Sequence, residues 1–263
     1  MIDALLANAA ILVGVVLILW VISVQIDDVS FIDSFWGAGM ALMAFASWMQ
    51  LAQPGALANL LLAMTAAWGL RLGIYLLRRW RAEGEDKRYE RMLRKDREKG
   101  RFAIAALTKI WLGQAVLLFL VSSPAQLGIL SSAEPAPITG IAWAGIALYL
   151  VGIFFEWVGD WQLAKFKADP ANKGQVMDRG LWRYTRHPNY FGDACVWWGL
   201  YLLAAETGPG VSSILGPIFL TFTLTKWSGI GITEKSIHSS RPGYADYVRR
   251  TSAFIPWPPK RAG

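Results

Sequence analysis

The chain has 263 residues, 54% of them hydrophobic, and a mean hydropathy of +0.35; few soluble domains are so apolar throughout, so a single all-α integral membrane domain over 1–263 is expected. The net charge of +7 reads as membrane topology and not as nucleic-acid binding, because the basic residues sit between apolar stretches and form no soluble basic face. A lone cysteine, Cys195, excludes an intramolecular disulfide and a Cys-rich zinc site, and with only His187 and His238 a histidine-rich metal site is not expected.

About seven transmembrane helices are predicted in chain order: 4–24, 31–52, 57–80, 103–123, 138–162, 189–206 and 211–231. The first replaces a signal-peptide reading, since Asp3 stands where a basic n-region would be. A short acidic connection with Asp27 and Asp28 follows, then a Pro54-Gly55 turn before the third span. Gly69 and Gly73 form a small-xxx-small pair in that span, a pattern that lets helix backbones approach. The third connection, 81–102, alternates acid and base and is expected to continue as a solvated helix. The fourth, 124–137, holds Pro124, Pro135 and Pro137 and no Lys or Arg. The fifth, 163–188, is basic, the sixth is a Thr-Gly-Pro-Gly turn, and the tail from 232 is basic again.

Positive charge therefore collects at the third connection (Arg78 to Arg101), the fifth (Lys165 to Arg186) and the tail (Lys235 to Arg261). Seven spans put all three on one side, which orients the amino terminus outside and the carboxyl terminus in the cytoplasm. Trp80, Trp161, Trp182 and Trp257 fall near span ends, as an interfacial aromatic belt requires.

Ionisable groups inside spans are costly and mark either a pairing partner or function. Asp33, Arg71, Glu156, Asp160 and Asp193 are such groups, and Glu156 and Asp160 share a helix face at i, i+4. Arg71 pairing with Asp33 or Glu156 is the structural reading; a polar cavity open to the cytoplasm is the functional one. The segment 178–193 sharpens the second. Pro188 suits the first turn of a helix, whose unpaired N–H groups attract anions. Arg179, Arg183, Arg186 and His187 lie beside it, while Asn189 and Asp193 share a face at i, i+4. Headgroup contact would account for the arginines alone. No Gly-x-Gly-x-x-Gly follows a strand, and no Walker loop or Gly-x-Ser-x-Gly elbow occurs.

The string Arg186-His187-Pro188-Asn189-Tyr190-Phe191-Gly192-Asp193 resembles the signature of the steroid 5α-reductase and sterol reductase superfamily. Further likeness lies in Ser30-Phe31-Ile32-Asp33-Ser34-Phe35-Trp36-Gly37, Trp68-Gly69-Leu70-Arg71-Leu72-Gly73, Asp86-Lys87-Arg88-Tyr89 and Tyr247 to Trp257. The chain also resembles bacterial membrane proteins related to steroid 5α-reductase. The resemblance implies a seven-helix reductase that takes NADPH from the cytoplasm and reduces the C=C bond of a 3-oxo-Δ4 steroid or similar enone. It implies cofactor contacts at Glu156, Asp160, Asn189 and Asp193, with Lys87, Arg88, Lys167, Arg179, Arg183, Tyr184, His187 and Tyr190 as further contacts. Glu156 stands where eukaryotic relatives carry Asn, and a carboxylate accepts but does not donate. The substrate carbonyl needs a donor as negative charge develops on it. The resemblance puts an acidic residue and a Tyr in that role: Asp33 is the nearest acid, with Ser34 the alternative in register, and Trp68 stands at the Tyr position, with Tyr75 as the fallback and Arg71 as a further catalytic candidate. Burial in an apolar pocket would keep Asp33 protonated. Asp33, Ser34, Trp36 and Trp68 would line the site of a steroid or sterol-like lipid entering from the membrane. The bilayer would be a bacterial inner membrane, or the endoplasmic reticulum in a eukaryote.

Two other readings stand beside this one. Isoprenylcysteine-type methyltransferases, which use S-adenosylmethionine, share Arg-His-Pro but carry a Glu-Glu pair where this chain has Glu234-Lys235. A non-enzymatic sterol-binding membrane protein would need no nucleotide.

Overall fold

A computed structural model describes residues 1–132, 138–227, 229–231, 234, 241 and 243–260. Pro135, Pro137, Lys235, His238 and Arg261 lie outside the described residues. Among the described residues the chain is all-helical and has no strand beyond an isolated bridge between Thr185 and Ser252.

The helices are α1 (Ile2–Ile26), α2 (Ile32–Met49), α3 (Ala56–Glu83), α4 (Lys87–Glu98), α5 (Phe102–Val121, with a π-helical segment Ala106–Trp111), α6 (Ser123–Leu130), α7 (Gly140–Ala168), α8 (Pro188–Ala204), α9 (Leu215–Phe222, continued by the π-helical Thr223–Trp227) and α10 (Tyr244–Arg250). Four of them, α1, α3, α5 and α7, are long and apolar enough to cross a membrane. This is a membrane protein by that measure. The connection 81–102 does hold a charged helix, α4. Gly84 at φ 75 ends α3, and Asp86 caps α4 by accepting from the Arg88 N–H. The fourth connection differs from a plain loop: Pro124 starts α6, because a proline in the first helical turn sacrifices no hydrogen bond.

The chain forms two compact units. The first comprises Met1–Thr139 and Leu203–Gly216, the second Gly140–Leu202 and Pro217–Gly263.

In the first unit α2 and α3 lie backbone to backbone. A Cβ on Gly37 would strike the Gly69 carbonyl, one on Gly69 would strike that of Gly37, and Gly73 faces the Ser34 carbonyl. Close approach of this kind maximises dispersion contact where lipid removes the hydrophobic drive between helices. A buried polar network fastens α1 to α2 and α6. The Asn8 amide donates to Ser47 Oγ at 2.7 Å and to Gln126 Oε1 at 3.0 Å, and accepts from Gln50 at 2.9 Å.

In the second unit α7 and α8 pack the same way. A Cβ on Gly152 would sit 2.6 Å from the Gly192 carbonyl oxygen, and one on Gly192 equally close to that of Gly152. Gly199 faces the Gly145 carbonyl one repeat further along. The tail is fastened onto the segment before α8. The Arg186 N–H donates to the Ser252 carbonyl, the Trp257 N–H to the Tyr184 carbonyl, and the Tyr247 hydroxyl to the Trp182 carbonyl.

Candidate functional site

The first unit brings together two stretches that are more than fifty residues apart in sequence. Ser30 Oγ accepts from the Asp86 N–H at 3.0 Å, and the Trp80 indole donates to Asp28 at 2.7 Å. These contacts bring Asp33, in the first turn of α2, to the start of α4. Arg88 Nη2 donates to Asp33 Oδ2 at 2.7 Å and the Tyr89 hydroxyl to Oδ1 at 2.6 Å. Both carboxylate oxygens therefore accept. Burial, and then the negative charge of Asp33 accepting its hydrogen bond, pushes the Tyr89 phenol well above the ordinary tyrosine range. Burial opposes the charge on Arg88, but its contacts with Asp86 and Asp33 prevail and raise its pKa. Tyr89 is buried and protonated, and Arg88 is charged.

The other candidates of this unit lie along α2 and α3. Trp68 is buried on α3, and Arg71 places its guanidinium over the Tyr75 ring, 5.4 Å from its centroid. The Ser34 hydroxyl donates to the Phe31 carbonyl. Trp36 donates to Gln114 and borders a crevice with Val16, Phe35 and Leu118 that is too narrow to admit a water molecule. Lys87 is exposed at the start of α4.

The second unit holds the remaining candidates. Glu156 and Asp160 are 1% and 4% exposed on the face of α7 that meets α8. Burial so complete is costly for carboxylates unless donors compensate. One donor is Asn189, whose amide reaches Asp160 Oδ1 at 3.3 Å while its own Oδ1 accepts from the Tyr190 N–H. The Gly152–Gly192 contact, with Gly159 against Pro188 and the Asn189 backbone, makes this possible by bringing the start of α8 against the Glu156–Asp160 turn of α7. Asp193 is half-buried one turn along. Lys167, Arg179, Arg183 and Tyr184 are exposed around the connection between the helices.

Arg186 and His187 have a partner that the sequence reading missed. Arg186 is 8% exposed and donates through Nε to Glu234 Oε1 at 2.7 Å and through Nη2 to Oε2 at 3.2 Å. Its Nη1 bonds the Thr251 and Val248 carbonyls. His187 Nε2 lies 3.1 Å from Glu234 Oε1, and its ring stacks on Tyr190 at 5.1 Å. Burial would raise the Glu234 carboxyl, yet the hydrogen bonds of His187 and Arg186 hold it at about 2. Arg186 is thus engaged in fixing the tail and has little capacity left for an anion. The signal in the sequence is Glu234, one of two acids, with Asp246, in a mainly basic tail.

The family described as "Protein of unknown function (DUF1295)" matches residues 19–251. The chain belongs to that family. The match runs from the end of α1 to the end of α10 and so takes in both clusters. The chain is also similar to "Uncharacterized protein C594.04c" of Schizosaccharomyces pombe, at 24% identity over 169 residues, which cover 54% of this chain and 46% of the relative. The match therefore spans about half the length of that curated relative. No solved structure matches the chain.

Proposed function

We propose that this DUF1295 protein is an NADPH-dependent reductase of the steroid 5α-reductase type, acting on the C=C bond of a 3-oxo-Δ4 steroid or similar hydrophobic enone. In this reading the chain crosses the bilayer seven times, amino terminus outside and carboxyl terminus in the cytoplasm. The observation that carries it is the contact between Asn189 and Asp160 beside buried Glu156. A carboxylate kept buried at a helix start, with an amide against it, suits the hydroxyl and amide groups of a nucleotide better than it suits lipid.

The residues present fit NADPH. Glu156, Asp160 and Asp193 offer acceptors, Asn189 offers both an acceptor and donors, and Lys167 and Arg183 offer cations for phosphate. Bound NADPH would supply the hydride. Asp33 and Tyr89 hold Arg88 in place, the one O–H of Tyr89 being given to Asp33, and the further N–H groups of Arg88 would serve as donors for negative charge growing on the substrate carbonyl. That assignment moves the donating role from Asp33 to Arg88. Arg71, Trp68 and Tyr75 on α3 are further candidate donors in the same unit.

The test is binding and turnover by the purified full chain in detergent. NADPH should raise the melting temperature more than S-adenosylmethionine does, and a 3-oxo-Δ4 steroid should be reduced with loss of nicotinamide absorbance. Stabilisation by S-adenosylmethionine alone would favour a methyltransferase and end this reading. Absence of response to either nucleotide would favour a sterol-binding protein.

A further inference from the structure

The two sides of α7 obey opposite rules. Gly145, Gly152, Glu156, Gly159 and Asp160 are buried on one side. Trp143, Leu150, Phe154, Trp157 and Trp161 are exposed on the other. Their spacing at i, i+7, i+11, i+14 and i+18 makes a single apolar ridge along a helix long enough to span a membrane. The ridge ends at Lys165, one turn beyond Trp161, whose ammonium lies over the Trp161 ring at 5.4 Å.

At that end the chain builds a cavity of about 330 Å³. Trp161 and Lys165 form one wall, Arg179 and Gly180 the other, with Phe166 and Met177 between them. The walls are held by hydrogen bonds. Gly180, at φ 59, turns the backbone so that the Leu181 N–H reaches Gln162 Oε1 at 3.0 Å. The Asn172 amide donates to the Phe166 carbonyl at 3.0 Å. Phe166, Met177 and Trp182 pack into a small core with Leu163. Asp169 also borders the cavity, but one of its oxygens caps the next turn through the Ala171 N–H. Two cations therefore face a single, partly engaged carboxylate.

We propose that this cavity binds the headgroup of an anionic glycerophospholipid, with its phosphate between Lys165 and Arg179 and an acyl chain along the Leu150–Phe154–Trp157 ridge. The volume is at the small end for ligand sites and suits a headgroup. The ridge supplies an apolar track that a soluble anion would not use, and the cations select against a zwitterionic headgroup. The site lies on the side of α7 opposite Glu156 and Asp160, and it gives Arg179, which the resemblance assigned to the cofactor, to the lipid phosphate instead.

The experiment is a melting-temperature titration of the full chain in mixed micelles. The arms are phosphatidylglycerol, phosphatidylcholine, sn-glycerol 3-phosphate, and phosphatidylglycerol with saturating NADPH. Phosphatidylglycerol should stabilise the wild-type chain, whereas phosphatidylcholine and glycerol phosphate should not, and NADPH should leave the lipid response in place. Lys165→Gln should weaken apparent lipid affinity about fivefold, Lys165→Arg should retain it, and Trp161→Leu should weaken it with the fold intact. Lys95→Gln, at an exposed position of α4, is the control and should behave as wild type. An unchanged response in Lys165→Gln, or an equal loss in Lys95→Gln, would overturn the proposal. A full response to glycerol phosphate alone would mark a soluble-anion site, and abolition of the lipid response by NADPH would assign the cavity to the nucleotide; either result also overturns it.

Discussion

The side-chain amide of Asn189, in the first turn of α8, donates to the buried carboxylate of Asp160 on α7 across 3.3 Å. The pair joins two helices through the group expected to meet the cofactor. Asn189→Ala leaves Asp160 without that donor. A loss of about 1–3 kcal/mol in stability is expected, together with at least a tenfold loss of NADPH affinity. Melting curves with and without NADPH separate the two effects.

Gly192→Ala is expected to abolish NADPH binding without touching a polar group. The added Cβ would sit 2.6 Å from the Gly152 carbonyl oxygen. The helices must separate, at a cost of about 1–3 kcal/mol, and Asn189 moves with α8. Gly113→Ala on α5, where a Cβ meets nothing within 4 Å, should leave both stability and binding unchanged. Equal behaviour of the two variants in a titration with NADPH would refute the geometric explanation.

Turnover should depend on Asp33, and cofactor binding should not. Asp33→Asn removes the carboxylate that orients Arg88 and Tyr89, so kcat on a 3-oxo-Δ4 steroid should fall at least tenfold while NADPH still raises the melting temperature. Tyr89→Phe should lower kcat as well, with about 1 kcal/mol of stability lost with its hydrogen bond. Full activity in Asp33→Asn would remove Asp33 from the catalytic assignment.

Glu234 should give the protein an acid limb. Its carboxyl lies at about 2 in the folded chain against an ordinary value of 4.5. A carboxyl depressed by folding stabilises above its unfolded value, so this contribution is complete above about pH 4.5 and is lost as pH falls toward 2. Glu234→Gln should lower the melting temperature at neutral pH and flatten its decline between those limits. A decline as steep as that of wild type would place the acid sensitivity elsewhere.

Asn8→Leu is expected to loosen α1. The change strands Ser47, Gln50 and Gln126 without their shared partner. Polar contacts of this sort within membranes are each worth about 0.6–2 kcal/mol. Thermal unfolding and protease access to the first helix would report the change.

Hydropathy located the long helices because a spanning helix and an apolar run of about 20 residues are nearly the same thing. It failed where helix and membrane part company. α7 runs on to Ala168 through Lys165 and Lys167, against a predicted end at 162, since lysine favours helix and penalises only hydrocarbon. α6 lies where the sequence predicts only a connection from 124 on; Pro124, in the first turn, starts it. Local spacing put Glu156 with Asp160 and Asn189 with Asp193, but the contact between Asp160 and Asn189 crosses helices, and its geometry depends on the Gly152–Gly192 approach. The ion pair of Arg186 with Glu234 spans 48 positions, and no periodicity reports on that. The sequence alone leaves Arg186 among the cations available to an anion, whereas the fold uses it to hold its own tail.

The asymmetry of α7 has a consequence for how this protein can change. A mutational scan along Gly145 to Lys165 should alternate between intolerance and indifference with the pitch of the helix. Enlarging Gly152 or Gly159 crowds a neighbouring backbone or proline, whereas exchanging Leu150 for Phe, or Phe154 for Leu, alters only what the bilayer meets. Homologues adapting to membranes of different thickness or lipid content thus have one edge of this rod on which to vary, while the opposite edge is held fixed by its fit to α8.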